Sequence, residues 1–291
     1  MTSRSSRSCR GPLGYLLVQA KLATLTALER MAAIARRAGL GTVVDRLAPA
    51  VGRRFERFEL DVDGVRLAGV DLAQLHYARE LREQGREQTF VRLLAEAVPP
   101  GGRVLEGGAH LGYVTVHAAR AAGPAGRVFV FEPNVAVHEV LSRNLALNGV
   151  AGQVELHGSA LGAEGGRARF YPSGDTSSLF AAGAEEARDV DVMRGDDAVQ
   201  GPVDVIKLDV EGAELDALRG LERLAGGAHV VFLELNPELL DQAGTSSGEL
   251  LAWLAAHGFA VEWIDEASGR TAPLSEPWSE AYVNLVCRRP A

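Results

Sequence analysis

The sequence predicts an α/β fold: a doubly wound, mostly parallel sheet with helices on both faces. Three observations predict it. From residue 103 onward, short apolar runs (103–106, 128–132, 154–161, 203–210 and 229–235) alternate with helical patterns over 111–122, 134–148 and 212–224. That rhythm is the mark of βαβ units. The first run leads into a glycine-bearing turn, Glu106-Gly107-Gly108-Ala109-His110-Leu111-Gly112. The second ends on an acid, Glu132, followed by Pro133.

The other segments are read around that core. Residues 1–86 form an N-terminal extension ahead of a domain over 87–291. The first 12 residues read as a basic tail. Residues 15–48 read as helical, since Leu17, Ala20, Leu25, Leu28, Met31, Ala32 and Ala35 recur near helical spacing. Asp63-Gly64 between alternating apolar residues marks a hairpin. Residues 71–97 read as helical, stopped by Pro99-Pro100-Gly101-Gly102. Residues 167–171 and 188–193 read as an added hairpin around the Gly/Ser-rich loop 173–179, which could cover an acceptor. Residues 260–265 and 281–288 read as the antiparallel pair that closes a seven-stranded sheet. The extension is a candidate lid or homodimer interface.

Composition narrows the function. With 47% hydrophobic and 23% charged residues the chain can bury a real core. The net charge of −8 opposes a nucleic-acid partner, which needs a basic face, and fits a small or neutral molecule. No apolar run reaches the roughly 18 residues of a membrane helix, so no membrane partner is expected. Arg4, Arg7 and Arg10 precede a short apolar stretch, but Gly11, Pro12 and Gly14 interrupt it, against a secretory signal. Cys9 and Cys287 lie far apart with no metal or disulfide spacing. A cytoplasmic enzyme is the expectation.

The glycine turn and the strand-end acid together indicate a nucleoside cofactor. Gly108 and Gly112 let the backbone turn and approach a ligand without a Cβ in the way. Glu132 offers a carboxylate with several lone-pair sites for ribose hydroxyls. An NAD-dependent oxidoreductase shares these features. Its fingerprint, Gly-x-Gly-x-x-Gly, frees backbone N–H groups for a pyrophosphate. Here the pattern is Glu-x-Gly-x-x-x-Gly, which keeps an acid at the strand end and suits a cofactor with an amino group.

The segments Val104–Gly112, Phe131-Glu132-Pro133-Asn134, Asn144–Gly149, Ala160-Leu161-Gly162 and Ile206–Glu214 resemble, in order and spacing, the FkbM family of methyltransferases. The likeness spans about residues 87–240, and Lys207-x-Asp209-Val210-Glu211-Gly212-x-Glu214 is its most distinctive run. The family's usual Asp-x-Gly-Ala-Asn-x-Gly is changed twice here, to Glu106 and to His110. The resemblance implies a class I methyltransferase fold holding S-adenosylmethionine. Glu106, Gly108, Ala109 and Gly112 would border its methionine part, Glu132 its ribose, and Ser159 and Ala160 its adenine. Asp209 would lie at the methyl-transfer site.

Methyl transfer from a sulfonium requires alignment of the nucleophile and, for an alcohol, removal of its proton. Candidates for that work are Asp209, Glu211 and His110, at strand ends or in the cofactor loop. Glu214 reads as a helix cap. His117, His138 and His257 read as structural. Asp209, Glu234 and Asn236 supply oxygen ligands at neighbouring strand ends, so Mg²⁺ is a candidate cofactor. The expected activity is O-methylation of a small natural product of sugar or polyketide type. A non-catalytic member of the fold is the remaining alternative.

Overall fold

The computed structural model describes residues 27, 30–31, 34–43, 59–68, 77, 81, 87–171, 179, 187–274 and 282–290. The basic tail, the stretch 11–20, His76 and the loop 173–178 lie outside the described residues. Within the expected helix 15–48, the described residues 30–31, 34–37 and 41–43 are helical, and Met31, Ile34, Leu40 and Val43 are exposed.

The Asp63-Gly64 turn joins β1 (Glu59–Val62) to β2 (Val65–Ala68) as an antiparallel hairpin. Helix α1 (Gln88–Ala97) follows and ends ahead of Pro99. Then come β3 (Arg103–Gly107), α2 (Tyr113–Ala122), β4 (Arg127–Phe131), α3 (His138–Leu147) and β5 (Val154–His157). A side sheet holds β6 (Ser159–Leu161), β7 (Gly166–Phe170) and β8 (Arg188–Met193). The main sheet resumes with β9 (Val205–Leu208), followed by α4 (Glu214–Gly220) and α5 (Glu222–Gly227). Strand β10 (Val230–Leu235), α6 (Pro237–Gln242) and α7 (Ser247–Ala256) lead to β11 (Ala260–Asp265), β12 (Arg270–Pro273) and β13 (Val283–Arg288).

The main sheet runs β12-β11-β13-β10-β9-β3-β4-β5. Its β10-β9-β3-β4-β5 half is parallel, while β13 inserts antiparallel between β10 and β11. From β3 the chain winds one way to β4 and β5, then returns to lay β9 on the other flank. The crevice of a doubly wound sheet lies at such a reversal, here between the ends of β3 and β9. Strand alternation feeds two cores. Val104, Val128 and Val130 pack on one face with α1, α2 and the hairpin, and Leu105, Phe129 and Phe131 pack on the other with α4, α5 and α7.

Four features differ from the sequence reading. The helix expected over 71–97 is interrupted at Glu87, which stands at φ 65°, and α1 starts only at Gln88. The run 154–161 is not one strand. Strand β5 ends at His157, whose carbonyl accepts the Glu132 N–H, and Pro133 then offers no N–H to extend the ladder. Residues 159–161 instead pair with β8 in the side sheet. The expected seven strands carry an eighth, β12. The Asp265 side chain accepts the N–H groups of Ala267 and Ser268, folding the chain back on β11. Lastly, the helix expected over 212–224 starts at Glu214 and breaks at Leu221. Just before the break, Gly220 packs so tightly on the Gly162 carbonyl that an added Cβ would lie 1.9 Å from its oxygen.

Candidate active site

The loop leaving β3 is shaped by backbone constraints. Gly108 has φ 75°, and an added Cβ would lie 1.9 Å from the Asp209 carbonyl oxygen. Only glycine fits, which explains the first glycine of the motif. His110 also adopts a positive φ, 48°. Asn and His are both enriched in that left-handed region, so the exchange of the family's Asn for His110 preserves the turn.

Glu132 holds this loop. Its Oε2 accepts the N–H groups of Ala109 (3.1 Å) and His110 (2.9 Å), and its Oε1 accepts the Asn134 N–H (2.9 Å). A carboxylate has about four lone-pair sites, so Oε1 keeps acceptor capacity for a ligand. The next residue that the sequence singled out behaves differently. Glu106 is buried, and its Oε1 lies 3.7 Å from the Lys207 ammonium. Burial raises its carboxyl above the usual range, while Lys207 pulls the other way. It lies beneath the loop rather than on the cavity wall.

On the β9 side, Lys207 and Asp209 share one side of the strand, 3.5 Å apart between Nζ and Oδ2. Glu211 sits in the turn before α4 with φ 54°, not in the helix itself. Glu214 fixes that turn. Its buried carboxylate accepts the N–H groups of Val210 (3.1 Å) and Gly212 (3.1 Å), and burial pushes its carboxyl up to about 7. The sequence reads Glu214 as a helix cap; instead it is the first helical residue, and it binds N–H groups of the turn ahead of a helix whose end carries no side-chain cap bond.

One cavity of about 370 Å³ opens between these two loops, a volume in the range of small-molecule sites. Gly108, His110, Glu132, Ala160, Asp209, Glu211, Glu234 and Asn236 line it. Glu106, Ala109, Gly112 and Ser159 do not. Gly112 packs instead under α3, where a Cβ would meet Leu141 at 2.7 Å. Phe131, Val137 and Leu161 give the wall beside Ala160 an apolar character. The sequence reading did not single out Glu87, Phe170 or Tyr282, which also line the cavity. Each sits next to an element end and far from the motifs in sequence, so no local spacing flags it. His110 meets Tyr77 edge-on at 4.9 Å between ring centroids, and both line the cavity.

The metal candidates do not assemble. Asn236 spends its side-chain oxygen on the Leu239 N–H, capping α6. Among the described residues no group of three His, Cys, Asp or Glu side chains is placed to hold an ion. Nothing in this arrangement supports Mg²⁺. His138 binds the Glu132 carbonyl (2.7 Å) and His257 caps α7, both structural placements. Among the described residues no helix is long and apolar enough to cross a membrane.

Residues 106–261 match the family described as Methyltransferase FkbM domain. Methyltransferase 1 of Beauveria bassiana is 30% identical over 151 residues, covering 43% of this chain and 60% of that protein. AMB antimetabolite synthetase AmbE of Pseudomonas aeruginosa is 26% identical over 301 residues, 83% of this chain and 14% of that protein. This chain spans less than two thirds of the length of either of these curated relatives. Among solved structures, methyltransferase FkbM from Methylobacillus flagellatus shares 17% identity at a TM-score of 0.41, over 85% of this chain and 60% of that one. The family match covers more than half of the sequence and contains the glycine loop, Glu132 and the Lys207–Glu214 run, and the chain belongs to the FkbM family of S-adenosylmethionine-dependent methyltransferases.

Proposed function

We propose that this protein transfers a methyl group from S-adenosylmethionine to a hydroxyl of a small molecule, of the sugar or polyketide natural-product type. One observation carries the reading. A single cavity at the β3/β9 reversal has the glycine loop and Glu132 on one wall and the carboxylates of Asp209, Glu211 and Glu234 on the other.

The residues present fit that cofactor. Gly108 leaves bare backbone at the wall, Glu132 offers an acceptor for a ribose, and Phe131, Val137, Ala160 and Leu161 form an apolar slot for an adenine. Bound there, the cofactor would supply a methyl on a sulfonium sulfur for an acceptor oxygen, with the C–S electron pair left on sulfur and the hydroxyl proton left to a protein base. Glu211 is the base in this reading. Its left-handed turn, latched by Glu214, aims it at the cavity. Asp209 orients the reactants near the transfer point, and His110 with Tyr77 walls one side. The described lining residues include six Asp or Glu and no Lys or Arg, which disfavours an anionic acceptor. The reading includes a cytoplasmic setting and leaves out a metal. With the family established, an NAD-dependent oxidoreductase is dropped.

The test is incubation of purified protein with S-adenosylmethionine bearing a deuterated methyl and a panel of sugars, polyketides and catechols. Expected is a labelled methyl on oxygen, with capped hydroxyls inert. Label on nitrogen or carbon, or cofactor binding with no transfer to any hydroxyl, overturns the reading.

A further inference from the structure

Lys207 sits in the middle of the sheet, on β9 beside β3, with its side chain buried. A buried ammonium is strongly destabilising unless it is paired and hydrogen-bonded. This one is met on three sides. It lies 3.7 Å from Glu106 and 3.5 Å from Asp209, and donates to the Gly108 carbonyl at 2.5 Å. An ammonium has three donors, and three partners surround it.

Glu106 alone would balance the charge. The contact with Gly108 does something else. The glycine loop is gripped from both sides: Glu132 takes the N–H groups of Ala109 and His110, and Lys207 takes the carbonyl of Gly108. The same ammonium reaches Asp209, whose side chain is 42% exposed toward the cavity. One buried cation thus spans the loop that would hold the cofactor and the acid beside the transfer point.

We propose that Lys207 is a positioning residue, tying the Gly108 end of the cofactor loop to Asp209 so that both face the cavity in one fixed relation. The proposal rests on the functional reading above. Burial by itself would lower the Lys207 pKa, but Asp209 and Glu106 outweigh it and raise it, so the ammonium keeps its charge and its grip.

The test separates positioning from charge balance. In Glu106→Gln/Lys207→Met both buried charges go together, so no uncompensated buried ion remains and only the partly exposed Asp209 loses a partner. Calorimetry then measures S-adenosylhomocysteine, whose amino-acid part would reach the Gly108–Asp209 end in the reading above, and adenosine, which lacks that part. Expected is a loss of about tenfold in affinity for S-adenosylhomocysteine, the scale of one charge-assisted hydrogen bond, with adenosine unchanged. Unchanged affinity for both ligands, or an equal loss for both, overturns the proposal. If the double variant fails to fold, Lys207→Arg keeps the charge and displaces the donors; the same selective loss is expected, and its absence overturns the proposal. If the unsubstituted protein binds neither ligand, the functional reading falls and this proposal with it, whereas normal binding there isolates the fault to Lys207.

Discussion

Glu132 accepts the backbone N–H of His110 at 2.9 Å, so the acid that ends β4 fixes the loop that leaves β3. Glu132→Ala removes the acceptor of three N–H groups at once. Affinity for S-adenosylmethionine is expected to fall by about 1–3 kcal/mol, with Glu132→Gln intermediate because its amide oxygen still accepts. Titration calorimetry checks this, and unchanged affinity in the alanine variant removes the ribose assignment.

Gly108→Ala places a methyl against the Asp209 carbonyl at a left-handed backbone position. The expected loss of folding stability is about 3 kcal/mol. Urea denaturation measures it. A variant as stable as the parent would mean that the loop and β9 are not in close contact.

Glu214 sets a pH dependence. An ordinary glutamate carboxyl titrates at 4.5, and burial pushes this one up to about 7. Between those values the folded state keeps a proton that the unfolded state has released. Stability therefore falls as pH rises through that window, by about 3 kcal/mol at most. Denaturation midpoints at about pH 5 and about pH 8 should differ in that direction, and Glu214→Gln should flatten the difference. A parent and a variant with identical profiles would refute the assignment.

Asp209→Asn keeps the shape of the rim and removes its charge. With an acceptor from the hydroxyl panel, turnover should drop by more than cofactor affinity, because the role lies near the reacting atoms. Steady-state kinetics beside calorimetry decide it. Equal losses would move Asp209 to a purely binding role.

Much of this was legible in the sequence because the physics involved is local. Val104-Leu105 and Val128–Phe131 are apolar on both faces, as a doubly covered parallel strand must be. Gly108 and Asp63-Gly64 stand at positive φ, where few other residues settle. The unread parts depend on contacts distant in sequence. Nothing near residue 158 announces that Pro133 will end the β4 ladder there. Glu106 has the look of a ligand group, and only the register that sets it beside Lys207 makes it a buried counter-ion. Tyr282 reaches the cavity from the start of the last strand, with no motif around it.

Asn144 binds two segments at once. Its Oδ1 accepts the Ala68 N–H at 2.7 Å and its Nδ2 donates to the Leu111 carbonyl at 2.9 Å. Four residues on, Asn148 takes both the N–H and the carbonyl of Arg66. The hairpin is thereby a strut, braced through one amide against the very loop that faces the cavity. A shortened protein starting at residue 87 would leave Asn144, which is fully buried, with half of its bonds open and the Leu111 end of that loop slack. The smallest fragment worth purifying starts ahead of Glu59, because the hairpin and the Leu111 end of the cavity loop share the one Asn144 amide.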